Sequence, residues 1–124
     1  MTTMLDAARA QLNQSDPHAN RRAAWLARAA AEDAIGVLLA AKQLDPGRRA
    51  NGRTLLSCLE ALYRDDAPAV ANHAQYAWSR LSEACHQHAY EMSPTHAEIA
   101  HLIDLVARLN QHASSQSRAK DDHK

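Results

Sequence analysis

Apolar side chains recur at intervals of three and four residues along most of this chain, which is the period of an α-helix that buries one face. The longest such run lies between residues 20 and 42 and contains Ala23, Leu26, Ala27, Ala30, Ala34, Val37, Leu38 and Ala41. A second lies between residues 53 and 64 and contains Leu55, Leu56, Leu59 and Leu62, with Cys58 beside them. A third lies between residues 96 and 112 and contains Ile99, Leu102, Ile103, Val106 and Leu109. Each run predicts a helix with one face in the core.

Turn and capping residues separate these runs. The segment Asp45, Pro46, Gly47 predicts a turn after the long helix. Farther on, Asp65 or Asp66 can cap a helix that has Pro68 in its first turn and continues to about residue 90. A new helix is expected after Pro94, because Thr95 and Glu98 have the spacing of a capping box. A shorter helix is predicted near the N-terminus, over about residues 4 to 13, before a break at Asp16 and Pro17.

The elements predict an all-α protein. The chain has 124 residues, 3 Gly, 4 Pro and no Phe, and it lacks the alternating β-branched runs typical of strands. Short connections make successive helices antiparallel neighbours, so we expect an up-and-down bundle of four main helices plus the short N-terminal one. Residues 1–112 are expected to form a single domain, and the polar residues 113–124 a disordered tail.

Charge and cysteine content limit the classes of protein and the cellular compartments that fit this sequence. Fourteen basic residues balance fourteen acidic ones, so the chain lacks the strongly basic character of a dedicated nucleic-acid binder, and any such binding must be local. The apolar region 23–41 is interrupted by Arg28, Glu32 and Asp33, and the N-terminus does not resemble a secretory signal. We therefore expect a cytoplasmic protein that does not span a membrane, with its two cysteines as thiols.

Candidate chemistry is concentrated between residues 76 and 98. At about 100° per residue, Trp78, Leu81, Cys85, His88 and Met92 share one arc of the predicted helix. The opposite arc carries Tyr76, Arg80, Glu83, His86, Gln87 and Tyr90. One face is thus expected to pack, and the other offers a guanidinium, a carboxylate, an imidazole and phenols that could bind a phosphate and move a proton.

Arg80, five intervening residues and His86 resemble the Arg-x(4-6)-His motif of the HEPN superfamily. The order of helices from about residue 20 to 109 is also similar to that family. The resemblance implies a helical bundle that dimerises and brings Arg and His from two subunits into one cleft. Many such proteins are metal-independent ribonucleases of bacterial toxin or defence systems. On this basis His86 would be the acid or base, Arg80 would contact phosphate, and no cofactor would be needed.

Two further features bear on this resemblance. Leu81 follows the Arg where active members often have a polar residue. His88 and Tyr90 match the His-x-Tyr ending of the branch that is paired with nucleotidyltransferase antitoxins, but Glu83 stands where that branch has an Arg. An antitoxin or other partner protein and a homodimer are therefore the protein partners implied, with Glu83, His88, Tyr90 and Tyr76 as supporting residues.

Other interpretations of the same residues remain open. Arg80 and Glu83 at i,i+3 could form a surface ion pair, and one of Glu32 and Asp33 could face Arg80. His88 and Tyr90 could serve packing alone. The basic group Arg48, Arg49 and Arg53 could contact RNA phosphates or simply aid solubility.

A metal site is a further interpretation of the cysteines and histidines. Cys85 and His88 could supply two ligands, with Cys58 or His101 completing the set, but the spacing matches no zinc finger and no metal is predicted. The function expected is that of a HEPN-like RNase or RNA-binding protein. The alternatives are a non-catalytic helical module that binds a partner protein, and a bundle that binds a small nucleotide or anion through Arg80.

Overall fold

A computed structural model describes residues 3–14, 18–45, 47, 50–85 and 95–122. Within these residues the chain forms five α-helices and no β-strand, which confirms the predicted all-α class. The helices are α1 (Met4–Leu12), α2 (Ala19–Ala41), α3 (Gly52–Tyr63), α4 (Pro68–Cys85) and α5 (His96–Asp122). All five begin within about two residues of the positions that the sequence pattern predicts.

Local side-chain bonds fix several helix ends. Thr3 and Asp6 form a reciprocal capping box at α1, and the Asn51 side chain accepts a bond of 2.9 Å from the backbone N–H of Thr54 at α3. The cap predicted at Asp65 or Asp66 differs, because α4 begins at Pro68, directly after Ala67. The Asp66 carboxylate instead forms an ion pair with Lys42, which follows the last residue of α2.

Helix α2 is the centre of the bundle and contacts each of the other four helices. Its inner positions are small, so the neighbouring helices can approach closely; the fully buried ones include Ala23, Ala24, Ala27 and Ala31. The first half of α2 packs with α1, the second half of α4 and α5 into one apolar cluster. The second half of α2 packs with α3, the first half of α4 and the later part of α5 into another.

Several core positions differ from the predicted pattern. Val37, predicted to face inward on α2, has 42% of its surface exposed. The core at this level contains the predicted Leu38 together with Ile35, Leu39 and, at the end of α3, Tyr63, which the pattern did not include. The Tyr63 side chain is buried, and its hydroxyl donates a hydrogen bond of 2.7 Å to the Leu38 carbonyl.

Helix α5 extends beyond the predicted end near residue 112. Its backbone is helical to Asp122, whereas the sequence pattern predicts a disordered tail from residue 113. Ala113 is buried against the second cluster, and no Gly or Pro interrupts residues 96–122. The polar residues therefore continue a helix that tertiary packing has already formed.

Among the helices that the structure describes, none is both long and apolar enough to cross a membrane.

Candidate functional site

The two arcs predicted for α4 are present up to Cys85. Leu81 and Cys85 are buried and Trp78 is half-buried on the inner side, whereas Tyr76 and Glu83 are exposed on the outer side. Arg80 lies at the margin, with 36% of its side chain exposed. The candidate residues of this helix up to position 85 therefore lie on an accessible face.

The Arg80 guanidinium is bound by two carboxylates. Its Nη1 donates to Glu83 over 2.6 Å, and its Nε donates to Glu98 over 2.8 Å. Nη2 donates to the same Glu98 oxygen, so the contact with Glu98 is two-pronged. These bonds raise the pKa of Arg80 above its ordinary value, the hydrogen bond with Glu98 being the largest cause. Arg80 is thus a fixed cation that joins α4 to the first turn of α5.

Glu98 forms only one of the two hydrogen bonds of the predicted capping box. The Thr95 hydroxyl accepts a bond of 3.0 Å from the backbone N–H of Glu98, which is the first half of the predicted capping box. The Glu98 carboxylate is directed to Arg80. Its position in the first turn of α5 also places its negative charge near the positive end of the helix dipole.

A groove lies beside this ion pair. It has a volume of about 840 Å³ and runs between α2, the N-terminal turn of α3 and α4. Its walls carry charges of both signs and one indole, contributed by Arg28, Glu32, Arg53, Trp78 and Glu83. Of the three arginines proposed to contact RNA, Arg53 is exposed and lines this groove.

Trp78 is the aromatic residue in the lining of the groove. Its Nε1 donates a bond of 3.0 Å to Glu32, and its ring packs directly on Gly52. Glu32 also lies 3.9 Å from Arg28. The suggestion that Glu32 or Asp33 faces Arg80 is therefore not supported. Among the described residues, the acidic partners of Arg80 are Glu83 and Glu98.

Several predicted site residues lie outside the described part of the chain. These are His86, His88, Tyr90, Arg48 and Arg49. The structure consequently gives no distance between Arg80 and His86. It brings Arg80 together with Glu83, as the i,i+3 spacing predicted, and places Tyr76 one turn before Arg80 on the exposed side of α4.

The cysteines lie in separate apolar clusters. Cys85 belongs to the first cluster and Cys58 packs against the second. Burial raises the pKa of the Cys85 thiol, which disfavours the thiolate form that binds metals. His101 is exposed on α5, and the residues that the structure describes include no group of three His, Cys, Asp or Glu side chains suited to a metal ion.

Trp25 is not among the candidate residues predicted from the sequence, yet the structure exposes it to solvent. Trp25, on α2, has 54% of its surface exposed, and the Arg28 guanidinium lies over its ring at 5.3 Å from the centroid. The signal was present in the sequence, because Trp25 falls between the buried Ala23 and Ala27 positions and so cannot share their face.

No family model, curated protein or solved structure matches this chain.

Proposed function

We propose that this chain is a HEPN-like helical protein of a bacterial toxin or defence system, and that it binds RNA. The observation that carries the proposal is the groove beside the motif helix, whose lining includes Arg28, Arg53 and the Trp78 indole. Guanidinium groups bind phosphate oxygens with a favourable planar geometry. The balanced net charge of the chain fits a local site of this kind better than a wide basic surface.

The second part of the proposal is that the protein cleaves the RNA that it binds. His86 would act as the general base or acid on the ribose 2′-hydroxyl, and Arg80 would stabilise the charged phosphorane. A guanidinium has five N–H donors, of which the contacts with Glu83 and Glu98 use three. Contacts within the described part of the chain therefore leave two donors for a phosphate oxygen, although the adjacent carboxylates oppose the approach of an anion.

A homodimer would overcome a geometric difficulty in this mechanism. Side chains six residues apart on a straight helix point about 120° away from each other. A two-fold axis near α4 would let Arg80 of one subunit meet His86 of the other. An antitoxin or another partner protein would then regulate access to the shared cleft.

The first experiment measures cleavage and binding separately. Purified protein is incubated with a mixed RNA pool in buffer containing EDTA, and binding to a labelled oligonucleotide is followed by fluorescence anisotropy. We expect Arg80→Ala and His86→Ala to abolish cleavage while helicity and oligomeric state are retained. Binding without any cleavage by the wild type would remove the enzymatic part, and absence of both would remove the proposal.

Glu98→Gln provides a sharper test of the role of Arg80. This change keeps the shape of the side chain but removes the negative charge that binds the guanidinium. If Arg80 contacts phosphate, the variant should bind RNA more tightly and cleave it at least as fast as the wild type. If Arg80 serves only to join α4 and α5, the variant should bind RNA no more tightly than the wild type.

The second candidate is a non-catalytic module that binds a partner protein. The double ion pair of Arg80 favours it, because a guanidinium that connects two helices has a sufficient structural role. Such a module would form a stoichiometric complex with its partner and leave RNA intact. Sedimentation with and without RNA distinguishes the two candidates.

A further inference from the structure

The exposed face at the start of α2 combines an aromatic ring with cations. Arg21, Trp25 and Arg28 are four and three residues apart, so they lie within about 60° of one another around the helix axis. Arg21 and Trp25 are exposed, and Arg28 stacks on the Trp25 ring. Trp25 is the more exposed of the two tryptophans, since Trp78 is half-buried and its ring packs on Gly52.

This face is continuous with the features already described. Arg28 also lines the groove that contains Arg53, so the two sites share a wall. At the other end, Arg21 Nε donates a bond of 3.2 Å to the carbonyl of Cys85, which directly precedes His86 in the chain. A ligand lying along this face would pass from the groove to the end of the described part of α4.

We propose that Arg21, Trp25 and Arg28 form a stacking site for the bases of single-stranded RNA, with the backbone entering the groove at Arg53. The inference deepens the proposed function and depends on it. Bases stack on exposed indoles whatever their sequence, and arginines beside the ring contact the connecting phosphates. Duplex RNA hides its bases in the stack, so it cannot use Trp25 in this way.

Nearby carboxylates offset part of the positive charge of this face, and this determines how RNA binding should depend on salt concentration. Arg28 lies 3.9 Å from Glu32, and Glu83 borders the same groove, so part of the positive charge is offset locally. Stacking should therefore contribute more than phosphate contacts. With two or three phosphates neutralised, the logarithm of the affinity should fall with the logarithm of salt concentration with a slope of about −2 or shallower.

The test uses the full chain and fluorescein-labelled 12-nucleotide strands of oligo(A) and oligo(U), single-stranded and as a duplex. Anisotropy titrations should show tighter binding to the single strands. Trp25→Ala should weaken that binding about fivefold or more, whereas Trp25→Phe should retain most of it because a ring remains. Arg21→Gln should weaken binding to all single strands alike and make the salt slope shallower.

Val37→Ala is the matched control. Val37 is another exposed apolar residue on α2, three turns beyond Trp25, and its truncation should leave RNA affinity unchanged. Circular dichroism of every variant checks that the helices are intact. Because Trp25 is exposed, none of its substitutions should disturb folding.

Three outcomes would overturn the stacking site. If Trp25→Ala binds RNA like the wild type while Arg53→Gln binds it less well, RNA binding stands and the stacking site falls. If Trp25→Ala alters only the oligomeric state measured by sedimentation, the face is a protein contact instead. If the wild type binds none of the strands, the proposed function and this inference fall together.

Discussion

Arg80 illustrates how one side chain can serve structure and be a candidate for function. Its contact with Glu98 joins two helices that are separate in sequence, while its contact with Glu83 lies within α4. The Glu98 side chain is 27% exposed and accepts two donors, whereas the Glu83 side chain is 60% exposed and accepts one. Water screens the second pair more strongly, so the pair with Glu98 should be the more stabilising.

Double-mutant cycles on the free energy of unfolding should show this difference. For Arg80→Ala combined with Glu98→Gln we expect a coupling of about 1 kcal/mol, the upper end for accessible pairs. For Arg80→Ala combined with Glu83→Gln the coupling should be about 0.3 to 0.5 kcal/mol, the usual value within a helix. Urea denaturation supplies the four free energies of each cycle. Equal couplings would contradict the stronger role assigned to Glu98.

Tyr63 gives a prediction that depends on pH. Burial is the main cause that raises the pKa of its hydroxyl above the usual value of 10.0. Since the unfolded chain ionises near pH 10 while the folded chain holds the proton, the stability due to this group is complete below that pH and decreases above it. Tyr63→Phe removes both the hydrogen bond to Leu38 and this titration.

At pH 8 the wild type should exceed Tyr63→Phe by about 1 to 1.5 kcal/mol in the free energy of unfolding. The advantage should shrink as the pH is raised from 10 to 11, which urea denaturation at each pH measures. Tyr76→Phe is the control at pH 8, because the exposed Tyr76 side chain should tolerate the change with almost no loss. An advantage that grows with pH would contradict the buried, protonated state of Tyr63.

At the level of elements, the contact between α3 and α4 depends on the missing side chain of Gly52. A β-carbon there would overlap the Trp78 indole, at 2.6 Å from Nε1. The indole is itself fixed by its bond to Glu32, so it cannot move away without losing that bond. The first turn of α3 therefore approaches α4 more closely than any larger residue allows.

Gly52→Ala should destabilise the protein by about 1 to 3 kcal/mol, as overpacking of a tight contact does. Gly36→Ala is the matched control, since a β-carbon at Gly36 in the middle of α2 meets nothing within 4 Å. There the loss of backbone freedom in the unfolded chain should stabilise the protein by up to about 1 kcal/mol. Thermal unfolding followed by circular dichroism compares the two, and opposite signs are expected.

The helices could be predicted from sequence because their signals are local. Three- and four-residue spacing depends only on neighbours in the chain, so α2 and α3 begin and end within about two residues of the expected positions. Val37 shows where this stops, since its place in the pattern could not reveal which arc the other helices cover. The extension of α5 depends likewise on Ala113 meeting the second cluster, a contact distant in sequence.

The candidate site was predictable only in part, for a related reason. The i,i+3 pair of Arg80 and Glu83 follows from helix geometry, but the contact of Arg80 with Glu98 requires the position of α5 against α4. The groove between Arg28 and Arg53 needs three helices to be placed at once. The phase of Trp25 on α2 points away from the buried alanines, yet only the packed bundle shows that 54% of its surface is exposed.

At the scale of the whole molecule, α2 connects the two apolar clusters. One cluster surrounds its first half and includes Ile103, and the other surrounds its second half and includes Leu59. Both α4 and α5 also contribute to both clusters. Since three helices are shared, loss of packing in one cluster should disturb the other, and the bundle should unfold as one cooperative unit.

Substitutions in each cluster test this cooperativity. Leu59→Ala and Ile103→Ala remove fully buried side chains and should each cost about 2 to 5 kcal/mol. During urea denaturation of the wild type, helix content and tryptophan fluorescence should change with the same midpoint. In each variant both signals should shift to a lower urea concentration and still share one midpoint. Val37→Ala, at an exposed position, should stay within about 0.5 kcal/mol of the wild type. If Leu59→Ala lowered the transition seen by helix content and left that seen by fluorescence in place, the clusters would be independent and α2 would not transmit stability between them.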